Sequence, residues 1–223
     1  MSKRYYATVD AYTGETSMPN VEWKTIAPEI QEKTSLIYKG FDSKEEAEHF
    51  INRGYIEENT IDHQDSEAID KEIEDRISSL SDDEAIIITD GSYNDTINKD
   101  IVGAGLIEFS KDNKEGKIYS VPGKNIENTK NVTGEILAVK KGIEWALNNQ
   151  INRLDIYFDY IELVSWAYGH QPNYDISRDY YKLIENTNKR MKLVFHKVSA
   201  DINAKYNKEA HRLAKDAVEN YGK

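Results

Sequence analysis

Apolar positions along the chain fall into short blocks whose spacing differs between its two ends. Ala85-Ile86-Ile87-Ile88, followed by Thr89, is a continuous apolar run of the kind that fills a buried central strand. Residues 101–109 and 117–121 predict two further strands, joined by a turn through Lys111-Asp112-Asn113-Lys114-Glu115-Gly116. Residues 131–149 have a helical period, with Ile136, Val139, Ile143 and Leu147 on one face. Leu154 to Phe158 reads as another buried strand, helical patterns follow at about 160–168 and 177–190, and Lys192 to His196 reads as a last strand. The stretch 205–221 predicts a closing helix with Ala210, Leu213, Ala214, Ala217 and Tyr221 facing inward. The order β-β-β-α-β-α-α-β-α predicts an α/β fold, a mixed sheet flanked by helices.

The N-terminal pattern is sparser. Tyr5 to Val9 and Leu36 to Phe41 read as strands. Ser43-Lys44-Glu45-Glu46 is a capping box that opens a helix with Ala47, Phe50 and Ile51 on one face, and Gly54 is a stop signal. Residues 1–54 are thus expected to form a small α+β domain, and residues 85–223 the large one.

Charge changes the reading of what lies between. The chain has a formal net charge of −11, yet residues 55–84 alone carry twelve acidic and two basic side chains. The flanking regions are therefore close to neutral and free to present local basic surfaces. Residues 55–84 are expected to be an acidic linker, either a solvated spacer or a helix carrying Ile69, Ile73, Ile77 and Leu80 on one face. The chain has no Cys, which excludes disulfides and thiolate metal sites and leaves oxygen or imidazole to hold any metal. No apolar stretch approaches membrane-spanning length, and the expectation is a cytoplasmic monomer without a membrane partner.

Three acidic residues stand where solvated surface charges are not expected. Asp90 is expected to end the Ile-rich strand, Glu135 lies in the first turns of the long helix, and Asp159 is expected to end the strand Asp155-Ile156-Tyr157-Phe158. Ligands in α/β proteins gather at strand C-termini. Three carboxylates converging there repel one another unless a hard cation neutralises them. Oxygen-only ligation suits Mg²⁺ or Mn²⁺, and two such ions about 4 Å apart can drive phosphodiester hydrolysis.

The segments Ile88-Thr89-Asp90-Gly91-Ser92, Asn131-Val132-Thr133-Gly134-Glu135-Ile136-Leu137-Ala138-Val139 and Tyr157-Phe158-Asp159-Tyr160 resemble the three metal-ligand motifs of the type 1 ribonuclease H family. The resemblance runs from about residue 85 to 221. It implies a ribonuclease H fold with a five-stranded mixed sheet and two divalent ions, and hydrolysis of the RNA strand of RNA–DNA hybrids. It also implies that Asn131 touches the sugar–phosphate backbone, with Gly91 and Ser92 as further nucleic-acid contacts. The family pattern carries a loop His and, ten residues on, a helical Asp that is the fourth ligand. Here Asp201 occupies the loop position and His211 the helical one, so the two residue types are exchanged. His211 is then the candidate fourth ligand, Asp201 a second catalytic candidate, and Mn²⁺ is better suited than Mg²⁺ to an imidazole. The competing expectation is a hybrid-binding protein of the same fold with impaired catalysis.

Tyr5-Tyr6-Ala7, Trp23, Ile37-Tyr38-Lys39-Gly40-Phe41 and Ser43 to Phe50 resemble the viroplasmin-like hybrid-binding domain found ahead of many type 1 ribonucleases H. That resemblance implies an aromatic side chain stacked on the DNA sugar face and a lysine on phosphate. Trp23, Tyr38 and Lys39 are the candidates.

Overall fold

The computed structural model describes residues 3–59, 61, 65–170, 172, 174–200 and 203–222. Strand β1 (Arg4–Asp10) is the centre of a four-stranded antiparallel sheet. The two-residue strands β2 (Thr16–Ser17) and β3 (Asn20–Val21) pair with it, and beyond the helix α1 (Trp23–Glu32) strand β4 (Leu36–Phe41) does so too. Pro28 lies inside α1 and reads as a helix breaker, which hid this element from the hydrophobic pattern. Helix α2 (Lys44–Ile51) starts at the expected capping box: the Ser43 hydroxyl accepts from Glu46 N at 3.2 Å. It buries Ala47 and Phe50 beneath Ala7, Val9 and Ile37.

Helix α3 (Ser66–Ser79) departs from the expectation of a solvated spacer. Ile69, Ile73, Ile77 and Leu80 are all buried, packed with Ile86, Ile88, Ile107, Phe109 and Tyr157. Its polar face is tied down as well. Arg76 donates to Asp155 at 2.8 Å, and Glu72 accepts from the Tyr157 hydroxyl at 2.9 Å. The acidic composition of the segment reflects this outer face, while the isoleucines cover one face of the second sheet.

That sheet holds β5 (Glu84–Tyr93), β6 (Ile101–Ser110), β7 (Asn113–Lys124), β8 (Arg153–Phe158) and β9 (Lys192–Lys197), with a short helix α4 (Asp95–Asn98) between β5 and β6. The order β7-β6-β5-β8-β9 is antiparallel on one side of β5 and parallel on the other. This five-stranded mixed sheet flanked by helices is the ribonuclease H arrangement expected above. Helix α5 (Asn131–Asn148) buries Ile136, Val139, Ile143 and Ala146. Helices α6 (Glu162–Ala167) and α7 (Asp175–Asn188) follow β8, and α8 (Lys205–Glu219) closes the chain. Two details differ from expectation. The β6–β7 turn is tight, with Ser110 facing Asn113, because the polar residues after it still pair along β7. Tyr221 is 51% exposed because α8 stops at Glu219, before its side chain can turn inward.

The two sheets share one core. Phe50 and Tyr55 both pack on Tyr168, at 5.1 and 5.3 Å between ring centroids, and Tyr55 also meets Phe195. Phe195 N donates to Tyr55 O at 2.7 Å, and Glu57 forms a two-point ion pair with Arg153. Lys39 Nζ donates to Gly169 O at 3.1 Å and Arg53 to Ala167 O at 3.0 Å. The N-terminal sheet is thus seated at the end of α6 and along β9. Among the described residues no helix is long and apolar enough to cross a membrane.

Candidate metal centre

Asp90 lies within β5 and does not end it. The parallel pairing with β8 stops at Ile88 and Tyr157, whereas the antiparallel pairing with β6 continues to Tyr93 and Val102. Asp90 therefore sits just past the point where the sheet opens on the β8 side, and Asp159 follows the last residue of β8. Glu135 reaches the same place because α5 lies directly on β5. A Cβ at Gly91 would stand 2.3 Å from Asn131 O and 2.5 Å from Glu135 N, so only glycine permits this approach. On the other side of the sheet, a Cβ at Gly105 would stand 1.9 Å from Ala210 O, and this contact brings α8 and His211 close. Asp90, Glu135 and Asp159 each offer a carboxylate oxygen, and these oxygens lie within 4.8 Å of one another.

Asp90 and Glu135 are buried and Asp159 is half-buried. Burial, followed by repulsion from Asp90 and Asp159, holds the Glu135 carboxyl well above the usual carboxylate range. Burial and the charge of Asp159 also raise Asp90, against the pull of Glu135 and His211. Glu135 Oε2 is buried with no hydrogen-bond partner among the described residues. An unpartnered buried carboxylate oxygen facing two more carboxylates fits a hard divalent cation, which satisfies the lone pairs and offsets the charge together. The carboxyl of Glu135 is raised, so the folded state favours its neutral form. The cost to stability grows as pH climbs from the unfolded carboxylate value towards the folded one, and is present in full above the latter. Glu135→Gln removes that cost. The metal-free variant is expected to melt higher than the wild type at pH 7, with the difference shrinking as pH falls from the raised folded value towards about 4 and absent below it. An equal or lower melting temperature at neutral pH, read by circular dichroism, would count against this electrostatic account.

His211 stands beside the three carboxylates. Its Nδ1 is 2.7 Å from Asp90 Oδ2 while the side chain remains 64% exposed. With Nδ1–H donating to the carboxylate, Nε2 is the ring atom left to ligate. Asp201 lies outside the described residues. Asn131 is exposed at the start of α5, Gly91 is buried, and Ser92 is half-buried in β5 opposite Gly103. Trp23 opens α1, Tyr38 and Lys39 lie in β4, and none of the three belongs to the carboxylate group. Trp23 stacks on Tyr38 at 5.8 Å, Tyr38 meets the edge of His170 at 4.9 Å, and Lys39 is exposed. Lys197, buried at the end of β9, was missed from the sequence. The available signal was a lysine closing an apolar strand whose neighbour in the sheet is followed by Asp159.

Residues 89–217, more than half of the chain, match the model of the family described as reverse transcriptase-like. No curated protein matches the chain. Similar solved structures include the N-terminal RNase H domain of a Mycobacterium tuberculosis protein, studied as a fusion with maltose-binding protein. Its TM-score is 0.49 at 16% identity, covering 61% of this chain and 94% of that one. RNase H1 from the halophilic archaeon Halobacterium salinarum has a TM-score of 0.47 at 16% identity, covering 61% and 98%. LC11-RNase H1 in complex with an RNA/DNA hybrid has a TM-score of 0.48 at 18% identity, covering 60% and 96%. The matched family segment includes all three carboxylates, the whole of α5 and most of α8, and the chain belongs to the reverse transcriptase-like family.

Proposed function

We propose that the chain is a metal-dependent endoribonuclease that hydrolyses the RNA strand of RNA–DNA hybrids. The observation that carries this reading is the mutually repelling trio of buried Asp90 and Glu135 and half-buried Asp159 at the open end of the sheet. These side chains would hold two divalent ions, Mg²⁺ or Mn²⁺. When bound, such ions acidify a water and stabilise the charge that develops on a scissile phosphate. Asp90 is held by the Gly91 N–H, which donates to its Oδ1 at 2.6 Å, and by His211 at Oδ2. The exposed amide of Asn131, one helical turn before Glu135, would hydrogen-bond the sugar–phosphate backbone and bring the 2′-OH of the RNA strand to the site. Residues 1–54 would serve as the hybrid-binding part, with Trp23 and Tyr38 as a stacking platform and Lys39 at phosphate.

The test is a labelled RNA–DNA hybrid offered to the full chain with Mg²⁺ or Mn²⁺, beside duplex RNA and duplex DNA. The expected result is cleavage of the hybrid RNA alone, leaving 5′-phosphate and 3′-hydroxyl ends, and loss of all cleavage on chelation. Hybrid binding without cleavage in either metal would replace this reading with that of a binding protein. Cleavage of all three substrates would replace it with a less selective nuclease.

A further inference from the structure

Lys197 is 6% exposed, an unusual state for a lysine. It faces Phe158 across the β8–β9 pair, and Val198 N donates to Phe158 O at 2.9 Å, so the chain beside it continues into Asp159. Its Nζ donates to Val198 O and, at 3.3 Å, to the hydroxyl of Tyr12, whose ring centroid lies 5.1 Å away. Neither partner carries a charge at neutral pH. Burial pulls the amine below its usual range, and the charges of Asp159, Glu135 and Glu162 push back. A buried ammonium without a compensating anion is costly, and the anions whose field reaches it include two of the three site carboxylates. Tyr12 belongs to the turn that follows β1, so the clamp on this lysine comes from the other sheet.

We propose that Lys197 is a positioning residue of the carboxylate site. It is a fixed cation that offsets part of the charge of Asp159 and Glu135, and so limits how tightly the site takes a divalent cation. Tyr12, in the turn after β1, holds it in place. The inference rests on the reading that the three carboxylates take divalent cations. Through Lys197 the N-terminal sheet acts on the metal site as well as on nucleic acid.

The experiment is calorimetric titration of Mn²⁺ into the full chain without nucleic acid. Lys197→Gln keeps donors for Val198 O and Tyr12 but removes the charge, and Lys197→Met serves as a second neutral variant should the first fail to fold. Each neutral variant is expected to bind Mn²⁺ at least about tenfold tighter, the scale for unit charges roughly 10 Å apart at an effective dielectric near 20. Lys197→Arg keeps the charge and should stay within about twofold of wild type. Tyr12→Leu frees the ammonium to rehydrate, which screens its field, so Mn²⁺ binding should tighten by less than in Lys197→Gln. A purely structural lysine would lower the melting temperature and leave the Mn²⁺ affinity where it was. An unchanged or weaker affinity in the folded neutral variants overturns the proposal even if hybrid cleavage is intact. The expected tightening in a chain that cuts no hybrid would instead overturn the ribonuclease reading and leave this one standing.

Discussion

Asp90→Asn is expected to lower hybrid cleavage by at least about 10³-fold while leaving the fold intact. Asp90 is central to the site: its two oxygens meet the Gly91 N–H and His211, and its charge acts on Glu135. Asparagine keeps the shape and the acceptor oxygen but contributes no charge to hold a divalent cation. The same change relieves repulsion in the metal-free chain, so loss of activity should come with unchanged or higher thermal stability. Single-turnover cleavage of labelled hybrid, with circular dichroism on the same preparation, reads both effects. Turnover by the variant comparable to wild type at any Mn²⁺ concentration would remove Asp90 from the mechanism.

Asp155→Ala is expected to cost about 3 kcal/mol of stability, the lower end for breaking a buried ion pair. Asp155 is fully buried and accepts from Arg76, Arg153 and His196 at 2.8, 2.9 and 2.8 Å. Removing it leaves two guanidinium groups short of a partner, although Glu84 and Glu57 still hold them. Burial alone would raise the Asp155 carboxyl, but the hydrogen bonds from His196 and Arg153 outweigh it and hold the group well below the usual range. Its folded value is depressed, so its contribution is complete above the unfolded value of about 4 and is lost as pH falls from there towards the folded one. The variant should therefore melt roughly 6–12 °C lower than wild type at pH 7, with the gap closing in strong acid. A shift of under about 2 °C at neutral pH would mean that the network contributes little.

Much of this architecture was legible in the chain because its elements carry strong local signals. The Ile-rich β5, the periodic α5 and the Ser43 capping box each state their conformation within a few residues. The three carboxylates were legible for the same reason, each lying in or next to such an element. What was hidden depends on contacts distant in sequence. The role of α3 was hidden because its isoleucine stripe lies in an acidic segment that reads first as a solvated spacer, and only the packing on Ile86 and Ile88 shows what the stripe covers. Lys197 was silent because a lysine at a strand end looks solvated until Tyr12, far away in sequence, is seen above it. The length of β5 past Asp90 was hidden because the apolar run stops at Ile88, and only the pairing with Gly103 and Ala104 keeps Gly91 and Ser92 extended. The exchange of Asp201 and His211 was visible in the sequence, and the structure adds that His211 approaches the site through Asp90.

The seating of the N-terminal sheet on α6 and β9 has a consequence for how a hybrid would be measured. Two binding sites on a flexible tether gain avidity gradually, as the tether samples the span between them. Two sites on one packed body behave like a caliper with a fixed gap. On the proposed function, a hybrid shorter than the gap between Trp23 and the carboxylates engages one site only, and one long enough engages both at once with no tether entropy lost. Affinity would then rise with hybrid length as a step, and cuts would fall at a constant number of base pairs from the part held by Trp23 and Tyr38.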